Sequence, residues 1–430
     1  MRLTSGAESC LIEARDSERI IMTNKTNRQK IIIPAVVILI ITAALFVSYL
    51  KWTTKPGPAS EKIIRKIAGK QLNKNPNSLT DDDFAKITNI FIGTNDGLGD
   101  IKLLEKFTNL EEFQFEIPTN SITINTPKWK RILAKIGLYD PNKDFIMDLS
   151  PLVKLTHLKK ISFSNTHISD IKPLANNKNL VELELYDSHI SNIEPLANNK
   201  KLRELRISVP QVSDIKPLAS LTNLVYLQIS NTRIRDIIPL ANLTNLQTLV
   251  LFQANITDIS PLANLTNLQS LMLYHANITD ISPLANLTNL QALGLQESSN
   301  ITDISPLTNL TALQRLNISN TQVNDITPVA NLRNMISLEL NNTQVGDISV
   351  LANLTNLQGL RIRGTQISDI KPLANLKNIR ELLIDGTQVS DISVLTNLTN
   401  LQWLYMSGTQ VSDEQIAELQ DALPNLHISR

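Results

Sequence analysis

Apolar residues in this chain recur in one asymmetric pattern, at i, i+3 and i+5, with polar residues between them. The pattern begins at Ile87, Leu110, Leu158, Leu180, Leu202, Leu224, Leu246, Leu268, Leu290, Leu313, Met335, Leu357, Ile379 and Leu401. It predicts a short strand at each start, with i+3 and i+5 turned inward and i+2, i+4 and i+6 turned out. Between strands runs a second phrase of the type D-I-x-P-L-A-N-L-T-N-L. Its aspartate falls at 148, 170, 214, 236, 258, 280, 303, 325, 347, 369, 391 and 413, with Asn192 in the Asp place. The step is 22 residues except between 280 and 303, where it is 23 and the extra residue lies within Gln296–Asn300. Self-similarity at a fixed period predicts a solenoid, so function is to be sought on a surface. Proline early in the phrase, as at Pro261 and Pro283, suits a first helical turn. So short a coil has room only for a 3-10 turn on its outer side. The predicted fold is an α/β repeat solenoid, with a parallel sheet on the concave face and 3-10 turns on the convex face. At about 4.8 Å per coil it extends roughly 65 Å.

The pattern is interrupted once and framed at both ends. Residues 116–147 form an insertion that contains PKWKRILAKIGL (127–138). There Trp129, Ile132, Leu133 and Ile136 share a helical stripe, with Lys128, Lys130, Arg131 and Lys135 elsewhere. Such a helix packs its stripe on its own domain or lies on anionic lipid, and the first is the more usual. Residues 61–86 read as a helical N-terminal cap, with Ile63, Ile64 and Ile67 on one face and Thr80 capping a short helix over 81–86. The solenoid proper covers 87–411. Ser412 and Gln415 start a helix over 413–421, Pro424 stops it and LHIS adds a last strand, so 412–430 reads as the C-terminal cap. Such caps are expected because the end of a solenoid exposes an apolar layer.

Upstream, residues 31–50 are uncharged and apolar, about 30 Å long as a helix. With Lys25, Arg28 and Lys30 before it and Lys51 and Trp52 after it, the segment reads as an uncleaved transmembrane signal anchor. The rival is a secretory signal peptide, whose apolar region is normally about 7–15 residues. Five basic residues lie on each side, over 15–30 and 51–66, so charge leaves the orientation open. The position of a lone N-terminal anchor places the repeats outside the cytoplasm. Residues 1–30 are an N-terminal tail in which Met22 is an alternative start, and 51–60 are a Pro/Gly linker.

Charge and composition narrow the chemistry. Lys and Arg number 41 against 40 Asp and Glu, so no global field calls for nucleic acid. The single cysteine, Cys10, precedes the apolar run, so the repeats have no disulfide framework, Cys-based zinc site or thiol nucleophile. No triad, glycine-rich phosphate loop or Walker-type motif is present, and no catalytic residue or cofactor is assigned. The Asp column could form a calcium ladder, but each side chain more simply accepts backbone N–H groups in its turn. His167 and His189 share a register without an obvious third ligand, so no metal is assigned there.

The repeat phrase, most fully TDISPLANLTNLQSLMLYHANITDISPLANLTNL from Thr257, resembles that of the internalin-type leucine-rich-repeat proteins of bacteria. The likeness spans roughly 80–428. It implies a non-enzymatic binding surface on the concave face of a cell-surface or secreted protein. Two departures stand out. Where that family usually has Asn after the strand, this chain has Thr166, Thr232, Thr321, Thr343, Thr365, Thr387 and Thr409, whose hydroxyls can bond to nearby backbone. An N-terminal anchor without a C-terminal wall-sorting signal means that a role in invasion does not carry over. Eleven N-x-S/T sequons lie in the repeats, and the repeat phrase itself accounts for them.

Aromatics are unevenly spread over the outward positions. Tyr186, Tyr226, Tyr274, Tyr405, Phe252 and Trp403 fall there. Val250, Phe252, Met272 and Tyr274 are predicted to make one patch, with Tyr226 and His275 beside it. Cross-strand packing without a ligand is the alternative. Arg361 and Arg363 face Glu339, Glu381 and Asp385, as an ion-pair lattice first and an anion site second. The expected function is membrane-anchored capture of an unidentified protein or glycan. The alternatives are a cytoplasmic-facing regulatory subunit, of the phosphatase-regulator repeat type, and a structural envelope spacer.

Overall fold

The computed structural model describes residues 19–23, 30–34, 58–93, 101–116 and 148–430, apart from 165, 167, 187, 188, 209, 231, 232 and 254. One coil shows why the phrase folds as it does. From 256 to 273, Ile256, Ile259, Leu262, Leu265, Leu268, Leu271 and Leu273 are all buried, so the apolar positions converge on one core. Ser260–Leu262 is a 3-10 turn with Pro261 in its first positions, where a missing N–H costs nothing. The aspartate before it is an Asx turn: Asp258 Oδ1 accepts the Ser260 N–H at 2.8 Å. The same bond recurs from Asp148 to Asp391, and Asn192 makes it through its Oδ1 to Glu194 N–H at 2.8 Å.

Strands of successive coils form one 15-stranded parallel sheet in chain order, from Asn89–Gly93 to His427–Ser429. Its strands have five residues as far as Ser270–Tyr274 and three from Ala292–Gly294 onward. The sheet is therefore widest in its N-terminal half. The 23-residue step shows in the register, since Gly294 pairs with Asn317.

Two polar columns add to the apolar core. In the T-N-L part of the phrase, Asn223, Asn245, Asn267, Asn289, Asn334, Asn356, Asn378 and Asn400 each donate Nδ2 to a carbonyl of the preceding coil, at 2.8–2.9 Å. Just past the strand, Thr321, Thr343, Thr365, Thr387 and Thr409 donate Oγ1 to the carbonyl three residues back, at 2.7–2.8 Å. That is the backbone bond expected of a hydroxyl column. Thr166 departs from it, with a buried hydroxyl that finds no partner among the described residues, and Thr232 lies outside them.

At the N-terminal end, helix α1 (Pro58–Leu72) buries Ile64 and Ala68 against the first coils. It begins inside the stretch read as linker, because Pro58 is tolerated at a first helical position. Helix α2 (Asp81–Phe84) carries a reciprocal capping box, Asp83 N–H to Thr80 Oγ1 at 3.3 Å and Thr80 N–H to Asp83 Oδ2 at 3.2 Å. It is two residues shorter than expected. Lys74, 2.6 Å away, together with the Thr80 N–H holds the Asp83 carboxyl far below the usual carboxylate range. Helix α3 (Asp413–Ala422) starts at Ser412, which accepts the Gln415 N–H at 3.4 Å.

The strand Glu112–Glu116 runs one residue into the expected insertion, and 117–147, with the basic stretch 127–138, lies outside the described residues. Of the expected anchor, residues 31–34 belong to the strand Lys30–Pro34, which pairs antiparallel with Arg19–Thr23. Their isoleucine run suits an extended backbone as well as a helix. Residues 35–50 lie outside the described residues, among which no helix is long and apolar enough to cross a membrane.

Candidate binding face

The outward positions of the sheet divide into sections. Over the strands Glu112–Glu116, Lys160–Ser164, Glu182–Tyr186 and Glu204–Ser208 charge dominates. Lys160 binds Glu182 at 2.7 Å. Arg206 sits among Glu204 at 3.0 Å, Glu184 at 3.3 Å and Glu182 at 3.6 Å. Its guanidinium also lies 4.2 Å from the Tyr226 ring centroid, a close cation–π contact. The hydrogen bond that Lys160 donates to Glu182 raises the Lys160 pKa, and burial raises that of Tyr186, helped by Glu184. This charged lattice was absent from the sequence reading, which followed the aromatics. Its signal was Glu182, Glu184, Glu204 and Arg206 at outward places one coil apart.

Next comes the apolar section. Val250 pairs with Met272 and Phe252 with Tyr274 across the strands Thr248–Phe252 and Ser270–Tyr274. The Phe252 ring meets Tyr274 edge-on at 5.4 Å and His275 at 5.8 Å. His275 turns there because its backbone is left-handed (φ 54°), in one column with Gln253, Glu297, Asn320 and Asn342 and then Gly364, Gly386 and Gly408. The N–H of this column reaches across to the next coil, as His275 does to Gln296 O at 3.2 Å. Gly294 adjoins the patch, and a Cβ there would meet Met272 Sδ and Tyr274 Cε1 at 2.8 and 3.2 Å. The bare backbone of Gly294 therefore leaves the room that Met272 and Tyr274 occupy.

The remaining expected residues stand apart from that patch. Tyr226 pairs with Thr248, and its hydroxyl lies 3.0 Å from Gln228 Oε1, so it belongs to the charged section. Tyr186 pairs with Ser208, farther toward the N-terminal end. At the C-terminal end Arg361 binds Glu339 and Glu381 at 2.8 and 3.0 Å, and Arg363 binds Asp385 at 2.6 Å. The anticipated lattice is therefore formed. Arg363 also lies 5.5 Å from the Tyr405 ring, and Trp403, 45% exposed, stacks on His427 at 4.5 Å. His167 lies outside the described residues, among which no group of three His, Cys, Asp or Glu could hold a metal ion.

Four stretches, residues 222–264, 266–309, 311–353 and 355–397, match the family described as Leucine Rich repeats (2 copies). No curated protein matches the chain. Among solved structures, an internalin (InlF) of Listeria monocytogenes is 31% identical with a TM-score of 0.70, over 82% of this chain and 98% of that one. The functional domain of InlJ from the same organism has a TM-score of 0.60 at 16% identity, over 88% of this chain and 78% of that one. A leucine-rich-repeat protein of Leptospira interrogans has a TM-score of 0.61 at 17% identity, over 81% of this chain and 97% of that one.

Proposed function

As this chain belongs to the leucine-rich-repeat family, with internalin-like repeats, we propose that it is a non-enzymatic module taking a protein or glycan partner on the outward face of its sheet. The observation behind this reading is the cluster of Val250, Phe252, Met272 and Tyr274, apolar side chains on the solvent side of two neighbouring five-residue strands near the middle of the sheet. Outward positions are not needed to fill the core, so apolar and aromatic area gathered there suits contact with another molecule beyond its cross-strand packing. The test is a photo-reactive phenylalanine placed at Phe252 or, as control, at Ile238, which is 65% exposed on the turn layer. A cross-linked partner is expected from position 252 alone; cross-links only from 238 would refute the assignment.

The same proposal holds the repeats outside the cytoplasm, tethered through the part of the apolar run that follows the strand Lys30–Pro34. External protease on intact cells or spheroplasts, followed with an antibody to the repeats, should digest them while a cytoplasmic marker survives. Protection until lysis would move the domain inside and make the regulatory-subunit reading the leading one.

A further inference from the structure

Over the four strands from Glu112–Glu116 to Glu204–Ser208, the outward positions hold five carboxylates, Glu112, Glu116, Glu182, Glu184 and Glu204. Against them stand two cations, Lys160 and Arg206, so three negative charges are in excess. Lys160 and Arg206 make their ion pairs with Glu182, Glu184 and Glu204; Glu112, which sits across the strands from Lys160 and acts on it only at longer range, and Glu116 are exposed and have no ion-pair partner among the described residues. The apolar patch begins three coils beyond Glu182–Tyr186 on the same face, with the polar strand Tyr226–Ser230 between. Three coils are about 14 Å, the span of roughly four extended residues, and the five coils from Glu112–Glu116 to the patch are about 24 Å, roughly seven residues.

Resting on the reading of the sheet face as the binding surface, we infer that the partner is an extended cationic segment of another protein, with a large apolar side chain about four residues beyond the cation over Glu184 and about seven beyond those over Glu112 and Glu116. The segment crosses the strands, its Lys or Arg side chains over Glu112, Glu116 and Glu184 and its apolar anchor on Phe252 and Tyr274. A glycan lacks the charge for the first section, and an acidic or uniformly apolar segment meets unpaired carboxylates there.

The test uses two fluorescein-labelled ten-residue peptides and the full chain in detergent. One carries three cations followed, four residues on, by Leu-Tyr; the other has glutamate in place of the cations. The cationic peptide is expected to bind at least about tenfold tighter in anisotropy titrations and to weaken with salt. E112Q/E116Q, which breaks no ion pair, should lower its affinity about fivefold. F252S/Y274S should abolish binding with the circular-dichroism spectrum unchanged. Equal binding of both peptides, or indifference to E112Q/E116Q, overturns this inference; if F252S/Y274S still abolishes binding, the sheet-face reading survives. Binding of neither peptide overturns it too, and the cross-link at 252 then judges the wider reading separately. Binding that appears only after a Gly-Ser linker replaces 117–147 would assign the acidic section to the chain's own basic stretch instead.

Discussion

Gly294→Ala separates the binding patch from the stability of the coil that carries it. The new Cβ would stand 2.8 Å from Met272 Sδ, 3.0 Å from Gln296 Oε1 and 3.2 Å from Tyr274 Cε1. All three are side-chain ends, and Gly294 is outside the left-handed column, so the backbone has no reason to move. Pushing Met272 and Tyr274 from their rotamers costs about 0.5–1.5 kcal/mol each. Replacing a strand glycine returns roughly 0.5–1 kcal/mol through the unfolded chain. The net loss is then about 0–2.5 kcal/mol, a fall in melting temperature of no more than a few degrees. Binding should respond far more, because Tyr274 leaves its edge-on contact with Phe252 and an aromatic anchor is worth about 2 kcal/mol or more. Cross-linking from position 252 or peptide anisotropy should therefore drop at least about tenfold while the calorimetric transition stays near that of the parent. A transition lowered by the equivalent of more than about 3 kcal/mol would show that Gly294 is needed for the fold. Unchanged binding would show that Met272 and Tyr274 do not touch the partner.

Asn177 and Asn199 occupy places that other coils give to leucine, such as Leu221 and Leu243. Each is buried, donates Nδ2 to two carbonyls at 2.9 and 3.0 Å, and leaves its Oδ1 without a partner among the described residues. Asn→Leu at either site gives up two modest bonds but removes an orphan oxygen and buries a leucine. A gain of about 1–2 kcal/mol per site should appear as a higher urea midpoint, and a lower midpoint would contradict the balance. Asn267→Ala should cost about 1 kcal/mol by deleting the 2.8 Å bond to Thr244 O, with Gln269→Ala on the same coil as a neutral control for the melt. The Asx-turn carboxyls give a pH dependence. Asp258 lies below its ordinary 3.8 because it accepts the Ser260 N–H and hydroxyl, and Asp391 likewise through Ser393. A folded value below the unfolded one means that their contribution is complete above about pH 4 and is lost as pH falls further. The melting temperature should be level from neutrality to about pH 5 and drop below pH 4, and a maximum below pH 4 would contradict the sign.

Much of the fold was legible because the 22-residue step assigns every apolar side chain a direction. Leu271 and Leu273 could be placed inward from spacing alone, and so could the pairing of Phe252 with Tyr274 one coil apart. The asparagine column was written in the phrase as T-N-L. Its bond to the preceding coil, however, depends on how the 3-10 turn aims Nδ2, which no local pattern states. The left-handed column had a readable signal in Gly364, Gly386 and Gly408, in step with Asn342 and Asn320. Tyr226 was drawn to the aromatic patch by proximity in the list of strands. Arg206 on the preceding coil claims its ring face instead, and that depends on the cross-strand partner.

Because the cohesion of the sheet and of the asparagine column passes only between adjacent coils, the array can act as a ruler. The distance between the carboxylates and the aromatic patch is a whole number of units, each adding about 4.8 Å. Loss or duplication of the unit carrying Tyr226 would shift the two sections by one notch and leave each internally intact. Relatives that differ by a coil would then read the same two kinds of side chain at a different spacing, so that selectivity could change by counting units while the contact residues stay the same.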